Sequence, residues 1–352
     1  MSDNPMMNAA DAINQAMHLA MEQDQRVLCL GLGVDDPKAI FNTTAGLQQR
    51  FGAARVFDTP TSENGMTGIA IGAALAGARP VMCHQRLDFF LLALDQLVNN
   101  AAKWNYTFGR PVPLTIRLIM GRGWGQGPTH AQNLQAWFAH VPGLKVVMPS
   151  NAADAKGLLL SSIFDDDPVV FLEHRWLHFS EGAVPAGDVR VPLGVASHAR
   201  RGDAVTIVAA SYMVVEALHA CRALAAVGIE CDLIDLRTIK PIDWNTIFNS
   251  VRCTGRLLAL DTGATTGSVA GEIVARVAMD CWNALKSAPQ RLALPDSPEP
   301  TSYGLTRQFY PGAVAILQRL GVMLGLDCPP LQHLPARHEH HDVPGAWFSG
   351  PF

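Results

Sequence analysis

The sequence predicts an α/β protein with two domains, each built on a parallel β-sheet. The chain has 352 residues, roughly twice the length of an ordinary domain. Short apolar runs alternate with helical segments, and uninterrupted apolar runs are typical of strands buried on both faces of a parallel sheet. Near the middle, residues 181–203 are rich in glycine, proline and charge, and the alternating pattern starts again after them.

The first domain is expected to span residues 1–180. Its predicted strands lie at residues 26–34, 80–84, 113–120, 144–149 and 168–173. Its predicted helices lie at residues 8–23, 65–78, 89–106 and 152–163. The last of these helices is preceded by Ser150 and Asn151, whose side chains are typical helix N-caps.

Residues 181–203 are predicted to be a linker that runs over the surface. A second, smaller parallel-sheet domain is expected over residues 204–326, followed by a tail at 327–352. Its predicted strands lie at residues 204–210, 230–236 and 256–261. Its predicted helices lie at residues 213–227, 244–251 and 267–284.

Composition limits the classes of partner. Hydrophobic residues make up 49% of the chain, charged residues 16%, and the net charge is −4. Such a charge offers no basic field for nucleic acid or an anionic membrane, so neither is an expected partner. The low charged fraction indicates that other subunits cover part of the surface. Seven scattered cysteines, no CxxC pair and no apolar leader predict free thiols and a cytoplasmic protein.

Glu63 is the first candidate for chemistry. It leads into a run of small, apolar residues, with no charged neighbour from Thr59 to Ala78. Burial of a carboxyl in such surroundings raises its pKa and suits it to proton transfer near neutral pH. The alternative is a glutamate that merely stabilises the N-terminal turn of a helix.

The second candidate is His130. It closes a glycine-rich stretch, residues 121–132, that follows a predicted strand, and ligands bind where strands of parallel sheets lead into loops. The stretch matches neither common phosphate-binding pattern. His130 is therefore expected to act as an acid or base, or to be an ordinary hydrogen-bonded loop histidine.

Longer motifs resemble one known family. They are Arg55-Val-Phe-Asp-Thr-Pro-Thr-Ser-Glu63, Gly127-Pro-Thr-His-Ala-Gln132, residues 136–151, Asp154-Ala-Lys-Gly-Leu-Leu-Leu-Ser-Ser-Ile163, Val191-Pro-Leu-Gly194, Val205-Thr-Ile-Val208, Asp235-Leu-Arg-Thr-Ile-Lys-Pro-Ile-Asp-Trp244 and Thr254-Gly-Arg256. Over about residues 8–320 the chain closely resembles the β subunit of thiamine-diphosphate-dependent 2-oxoacid dehydrogenases. This resemblance implies a pyrimidine-binding first domain and a transketolase-type C-terminal domain.

The resemblance also implies roles for individual residues. Glu63 matches the glutamate that hydrogen-bonds N1′ of the cofactor's aminopyrimidine and so promotes loss of the C2 proton. His130 matches the histidine that assists acyl transfer to a lipoyl group. Gln85 and Phe89, in the family's Gln-Phe-Ala-Asp-Phe motif, are expected to contact the cofactor. The electron-sink chemistry belongs to the cofactor itself.

One motif is missing. Thiamine-diphosphate proteins hold Mg²⁺ and the diphosphate with a Gly-Asp-Gly motif, and this chain has none. The resemblance therefore implies an α subunit that supplies the missing half and holds the Mg²⁺. It further implies a heterotetramer of two α and two β chains, with a β–β contact, that serves a lipoyl acyltransferase.

Some positions depart from the family pattern. Leu32, Gly33 and Asn100 replace acidic residues that line a water-filled channel between paired sites in the family, so proton communication between sites is not assured. Arg86 stands where the family is apolar. It is expected either to form a surface salt bridge or to pair with a second carboxylate of the substrate.

Secondary candidates concern ions and the tail. Asp165 matches a position that holds potassium in some relatives, or forms a solvated acidic turn. His174 and His178 are four residues apart, but their strand context argues against a zinc site. The tail carries His333, His338, His340 and His341, where metal binding is a weak alternative. Trp347 and Phe348 are expected to pack on this chain or a partner.

The sequence thus predicts the β subunit of a 2-oxoacid dehydrogenase decarboxylating component, active only with an α subunit. Two alternatives remain. One is the C-terminal half of a split transketolase, which transfers a two-carbon unit between sugar phosphates. The other is a non-catalytic chain that only scaffolds an α subunit. Which 2-oxo acid is used is not encoded in these motifs.

Overall fold

The computed structural model describes residues 4–122 and 125–336, which form strands and helices on three sheets. The strands are β1 (Met6–Asn8), β2 (Val27–Gly31), β3 (Val56–Phe57), β4 (Arg79–His84), β5 (Thr115–Met120), β6 (Lys145–Val147), β7 (Val169–His174), β8 (Glu181–Ala183), β9 (Ser197–Arg200), β10 (Thr206–Ala209), β11 (Asp232–Asp235), β12 (Thr238–Lys240), β13 (Leu257–Ala264) and β14 (Gln290–Leu294). The α-helices are α1 (Ala9–Gln23), α2 (Leu47–Phe51), α3 (Glu63–Leu75), α4 (Leu87–Phe90), α5 (Ala102–Phe108), α6 (Gln135–His140), α7 (Ala152–Ile163), α8 (Tyr212–Ala225), α9 (Trp244–Thr254), α10 (Val269–Asp280), α11 (Tyr303–Phe309) and α12 (Ala313–Leu324).

The first sheet has the order β12-β6-β7-β5-β4-β2-β3 and is parallel except for β12. Its central strands are buried along their whole length, as the continuous apolar runs predict. One face packs on α1 and α7 and the other on α3 and α4. The predicted parallel α/β architecture of the first half is confirmed.

The second sheet has the order β14-β13-β10-β11-β9 and is parallel except for β9. One face packs on α8 and α12, the other on α9 and α10. The α9 and α10 face belongs to the same hydrophobic cluster as the α3 and α4 face of the first sheet. A continuous apolar core therefore joins the two halves of the chain.

Three segments differ from the sequence prediction. Residues 181–203, expected to be a linker, contain β8, which pairs with β1, and β9, which forms an edge of the second sheet. Residues 89–106, expected to be one helix, are divided into α4, a 3₁₀ turn (Leu91–Ala93), a π-helix (Gln96–Ala101) and α5. β12 lies in the second half of the sequence but pairs antiparallel with β6 of the first sheet. The strands β8, β9 and β12 have only three or four residues, which is too short for a periodic sequence pattern to reveal them.

Polar contacts also join the two halves. Arg237 forms an ion pair with Asp154, with Nη2 at 2.7 Å from Oδ1. Ser150 donates a hydrogen bond to the Asp235 carboxylate, which is 2% exposed. Burial, helped by the nearby Asp154 carboxylate, raises the pKa of Asp235 to about 7 despite the opposing hydrogen bond from Ser150.

This shift predicts a pH-dependent stability. Between about pH 4, the unfolded pKa of aspartate, and about pH 7, the folded state holds a proton that the unfolded state has lost, so stability falls as pH rises. Asp235→Asn stays neutral at every pH. We therefore expect the free energy of unfolding of the variant, relative to that of wild type, to rise by about 3 kcal/mol between pH 5 and pH 8. Denaturant unfolding at both pH values measures this, and an identical difference at pH 5 and pH 8 would contradict it.

Within the described parts of the chain, no helix has the length and apolar character needed to cross a membrane.

Candidate active site

The fold brings the predicted site residues to one edge of the first sheet. β3, β2, β4 and β5 are neighbours and parallel, so the loops that follow them meet at their carboxyl ends. Glu63 follows β3, Gly33 follows β2, Gln85 and Phe89 follow β4, and His130 follows β5. Residues far apart in sequence thus line a common edge.

Glu63 is the first residue of α3 and only 7% exposed. Its carbonyl accepts a hydrogen bond from Thr67 Oγ1 at 2.7 Å, and the same hydroxyl lies 3.5 Å from the Met82 sulfur of β4. The first turn of α3 is thereby held against the strand. Within the described residues, the Glu63 carboxylate takes part in no hydrogen bond and no ion pair. The carboxylate oxygens are accessible although the residue as a whole is buried, so they are available to a ligand.

The loops on either side are held by polar contacts. Gln85 Nε2 donates to the Leu32 carbonyl at 3.4 Å, and the Gly33 N–H donates to Asp58 Oδ1 at 2.9 Å. Asp58 Oδ1 also accepts from the Thr59 N–H at 2.8 Å, four residues before Glu63. The loops after β2, β3 and β4 are therefore linked to one another.

His130 and Phe89 are in contact. Their rings meet edge to face, with centroids 5.3 Å apart and an angle of 87°. Phe89 remains 42% exposed, so one face of its ring is open. Thr129 Oγ1 lies 3.0 Å from Nδ1 of His130. The contact brings two motifs that are separate in the sequence together at this edge.

Asp88 and Gln132 also belong to this edge, although the sequence motifs assign them no role. Gln132 Nε2 donates to Asp88 Oδ1 at 2.8 Å, which ties the loop of His130 to the loop of Phe89. Both residues lie inside motifs that follow predicted strands. Their place after predicted strands could have identified them as site residues, because strand ends in one parallel sheet meet at one edge.

The channel positions carry no carboxylate. Leu32 and Gly33 lie beside Gln85, and Asn100 donates from Nδ2 to Gln96 Oε1 at 2.9 Å within the π-helix. Arg86 makes no ion pair with any described residue, and its Nη1 is buried without a hydrogen-bond acceptor. The expectation of a surface salt bridge at Arg86 is wrong, because the side chain is turned into the protein.

Asp165 lies away from this edge, in the turn before β7. Both of its carboxylate oxygens accept from Lys145 Nζ at 2.8 Å. Its carbonyl accepts from Arg79 Nη1 at 2.9 Å, and that nitrogen also lies 3.3 Å from the Ile163 carbonyl. Two protein cations already engage the oxygens that potassium would need, so these residues do not fit the ion.

The other histidine candidates are not brought together as a metal site. His174 and His178 are buried, and His178 Nε2 lies 3.0 Å from Glu173 Oε2. No cluster of three or more metal-ligating side chains occurs within residues 4–122 and 125–336. His333 is exposed. The remaining tail candidates lie outside the described residues: His338, His340, His341, Trp347 and Phe348.

A buried charge network lies beneath the edge and was not foreseen from the sequence. Arg117 of β5 and Glu173 of β7 form a bidentate pair at 2.6 and 2.9 Å, and both are 2% exposed. Burial alone would raise the pKa of Glu173, but Arg117 and the hydrogen bond from His178 outweigh it and lower that pKa to about 2. The pair therefore stays charged at neutral pH.

Comparisons with known proteins match both halves of the chain. Residues 5–178 match the transketolase pyrimidine-binding domain, and residues 194–316 match the transketolase C-terminal domain. The 2-oxoisovalerate dehydrogenase subunit beta of Bacillus subtilis is 40% identical over 296 residues, which cover 83% of this chain and 90% of the relative. The chain belongs to the β-subunit family of 2-oxoacid dehydrogenases. The resemblance found in the motifs is thereby confirmed.

Other relatives of this β-subunit chain agree. The acetoin:2,6-dichlorophenolindophenol oxidoreductase subunit beta of Cupriavidus necator is 40% identical and covers 87% of this chain and 94% of the relative. The mitochondrial pyruvate dehydrogenase E1 component subunit beta of Caenorhabditis elegans is 39% identical and covers 91% and 93%. A solved inactive beta4 tetramer of a split-gene transketolase has a TM-score of 0.72 at 20% identity, over 92% of this chain and 99% of that chain. This last likeness shows the shared fold.

Proposed function

We propose that this chain forms the β half of a thiamine-diphosphate-dependent active site that decarboxylates a 2-oxo acid and transfers the acyl group to a lipoyl arm. The observation that carries the proposal is Glu63, a residue 7% exposed whose carboxylate has no hydrogen-bond partner in the described chain. It lies on the same sheet edge as Phe89 and His130. An unpaired acceptor on the same edge as an exposed aromatic ring suits a heteroaromatic ligand.

The residues present fit the aminopyrimidine half of the cofactor. Glu63 offers an acceptor for a ring nitrogen, Phe89 an apolar face and Gln85 an exposed amide. When bound, thiamine diphosphate supplies the electron sink for decarboxylation. Glu63 would hold or release a proton at the pyrimidine N1′. The helix start fixes the carboxylate before the ligand arrives.

His130 acts on the acyl acceptor. Its ring packs against Phe89, and its Nδ1 is hydrogen-bonded to Thr129 Oγ1. Nε2 is therefore the nitrogen that can donate a proton to, or accept one from, a sulfur of the lipoyl group. The Gln132–Asp88 hydrogen bond keeps the His130 loop at this distance. The proposed division of labour assigns cofactor activation to Glu63 and acceptor chemistry to His130.

The proposal includes an α subunit. The chain has no Gly-Asp-Gly motif, so the diphosphate and its Mg²⁺ require another polypeptide. Two of the relatives described above are named as subunit beta of a dehydrogenase or an oxidoreductase, which supports an α partner here. We place the site in a heterotetramer of two α and two β chains, with the β–β contact that the family resemblance implies, and with a lipoyl acyltransferase as the next enzyme.

Replacing His130 by alanine tests the assignment of the second step. In the assembled enzyme we expect the rate with a lipoyl acceptor to fall about 100-fold. The rate with an artificial electron acceptor is expected to change less than about threefold, because it bypasses acyl transfer to lipoyl. Steady-state assays with both acceptors measure the two rates.

The matched control is His333→Ala, which removes an exposed histidine of a short 3₁₀ turn in the second half. It should leave both rates unchanged. Equal losses in both assays for His130→Ala would contradict the proposed role.

Titration calorimetry tests the shared site. The chain alone is expected to bind thiamine diphosphate with Mg²⁺ more than about 100-fold more weakly than the complex with its α subunit, because half of the contacts are missing. Tight binding by the isolated chain, with no partner present, would overturn the split site. The α subunit used in this test is a partner chain that carries the Gly-Asp-Gly motif and is co-expressed with this chain.

The split-transketolase alternative receives less support. Relatives near 40% identity are β subunits of 2-oxoacid dehydrogenases and of an acetoin oxidoreductase, whereas the split-gene transketolase matches at 20%. Turnover of sugar phosphates without a lipoyl acceptor would favour it. A purely scaffolding chain would keep full activity after Glu63→Gln.

A further inference from the structure

The guanidinium of Arg122 lies between two aromatic rings from different halves of the chain. Its Cζ is 4.2 Å from the ring centre of Trp176, which follows β7, and 4.0 Å from the ring centre of Tyr310, which follows α11. Arg122 is 8% exposed and Trp176 is 1% exposed. A cation placed between two rings and away from water gains more than one at an exposed site. Trp176, Arg122 and Tyr310 are called the cation clamp below.

The clamp stands at the start of the loop that carries His130. The glycine before it, Gly121, has φ +86°, and a Cβ there would lie 2.3 Å from Nε2 of His174. Gly127, with φ +66°, lies against the second half, since a Cβ there would be 2.4 Å from Thr301 Oγ1. Both positions need glycine for their backbone conformation and for close approach. The second half is thus contacted by Gly127, three residues before His130, and by Arg122, eight residues before it.

Contacts within the second half fix the segment that carries Tyr310. Tyr310 directly precedes Pro311 and α12, and the Ala313 N–H at the start of α12 donates to Glu216 Oε2 at 2.6 Å. The other carboxylate oxygen of Glu216 accepts from the Tyr212 hydroxyl. Tyr212 in turn stacks on His174, with centroids 5.0 Å apart. The contacts form a closed chain from α12 through α8 back to the strand end beside Gly121.

His130 is therefore fixed from both sides. On one side the cation clamp and Gly127 tie the loop to the second half. On the other side Gln132 ties it to Asp88 in the loop of Phe89. A small displacement of a reacting group costs much of its catalytic effect. The position of His130 therefore depends on the position of the second half.

We propose that Arg122 is a positioning residue for acyl transfer, and that through Tyr310 the C-terminal half of the chain sets the alignment of His130. The second half then contributes to the reaction itself, in addition to assembly. This inference rests on the proposed function of His130. It assigns no contact between Arg122 and cofactor or substrate.

The experiment compares four variants in the assembled α–β complex. Arg122→Met removes the cation and keeps an unbranched side chain, and Tyr310→Leu removes the ring. Tyr310→Phe keeps the aromatic face and is the conservative rescue. Arg276→Met is the matched control, because it removes a cation 4.6 Å from the ring of Trp244 elsewhere in the second half.

Two readouts are taken for each variant. The first is the ratio of the lipoyl-dependent rate to the artificial-acceptor rate. The second needs no bound cofactor: the rate at which diethyl pyrocarbonate modifies His130, followed by mass spectrometry of the peptide. Arg122→Met and Tyr310→Leu are expected to lower the ratio about 10-fold and to raise the modification rate severalfold. The double variant Arg122→Met, Tyr310→Leu, made in addition, should be no worse than Arg122→Met alone, since Arg122→Met already removes the contact with Tyr310.

Tyr310→Phe and Arg276→Met should keep both readouts within about twofold of wild type. The inference is overturned if Arg122→Met lowers both rates equally, if it leaves ratio and modification unchanged, or if Tyr310→Phe behaves like Tyr310→Leu. If the complex with Arg122→Met fails to assemble, Arg122→Gln, which also removes the cation, takes its place, and the same outcomes apply. If His130→Ala itself leaves the ratio unchanged, the proposed function fails; if only the clamp variants do, the positioning role alone fails.

Discussion

Glu63→Gln is expected to reduce turnover of the 2-oxo acid about 1000-fold in the assembled complex, with either acceptor. Glutamine keeps the size of the side chain and its buried place at the start of α3. It cannot exchange a proton with the pyrimidine nitrogen, and acid–base catalysis by one positioned group is worth 10²- to 10⁴-fold. Because proton transfer precedes every later step, both acceptor assays should fall together, unlike those of His130→Ala.

The direct measurement is exchange of the cofactor's C2 proton for deuterium, followed by NMR after acid quench. The exchange rate in the Glu63→Gln complex is expected to approach that of free thiamine diphosphate. Glu22→Gln is the matched control, because Glu22 is an exposed helical glutamate paired with Arg50 at 2.6 Å. Size-exclusion chromatography verifies assembly of both variants. Exchange at the wild-type rate in Glu63→Gln would remove the mechanism.

The largest effect on stability is expected at the buried Arg117–Glu173 pair. Glu173→Gln leaves the Arg117 guanidinium charged and 2% exposed, without its carboxylate. Removing one partner of a buried pair costs about 3 to 5 kcal/mol, since the remaining charge keeps its desolvation penalty. Chemical denaturation of wild type and variant measures the difference in the free energy of unfolding.

Two comparisons make this test specific. The double variant Arg117→Met, Glu173→Leu should recover much of the loss, because no charge is left buried. Asp24→Asn weakens a pair with the exposed Arg26 and should cost no more than about 1 kcal/mol. The carboxylate's contribution is present above the unfolded pKa of glutamate, about 4.3, and is lost as pH falls toward 2. A loss in Glu173→Gln no greater than in Asp24→Asn would contradict the assignment.

Part of the site was accessible from sequence because it depends on local order. His130 follows a strand that its apolar run makes recognisable, and loops after parallel strands meet at one edge. Glu63 was found from the uncharged apolar run that it begins, whereas β3, the two-residue strand before it, was not predicted. The contact between Phe89 and His130 follows from β4 and β5 being neighbours. Arg86 shows the limit: its position after a strand was clear, but whether it faced water or the interior was not.

The sequence by itself determined the alternation of strands and helices, the two sheets, the family and the candidates Glu63 and His130. These features can be predicted from the periodicity of apolar residues and from motifs of consecutive residues. Only the tertiary structure decided that β12 completes the first sheet, that Arg117 pairs with Glu173, and that Arg122 reaches Tyr310. Each of these contacts joins residues more than fifty positions apart. Such a pairing is selected by the packing of whole layers, and no local pattern of residues encodes it.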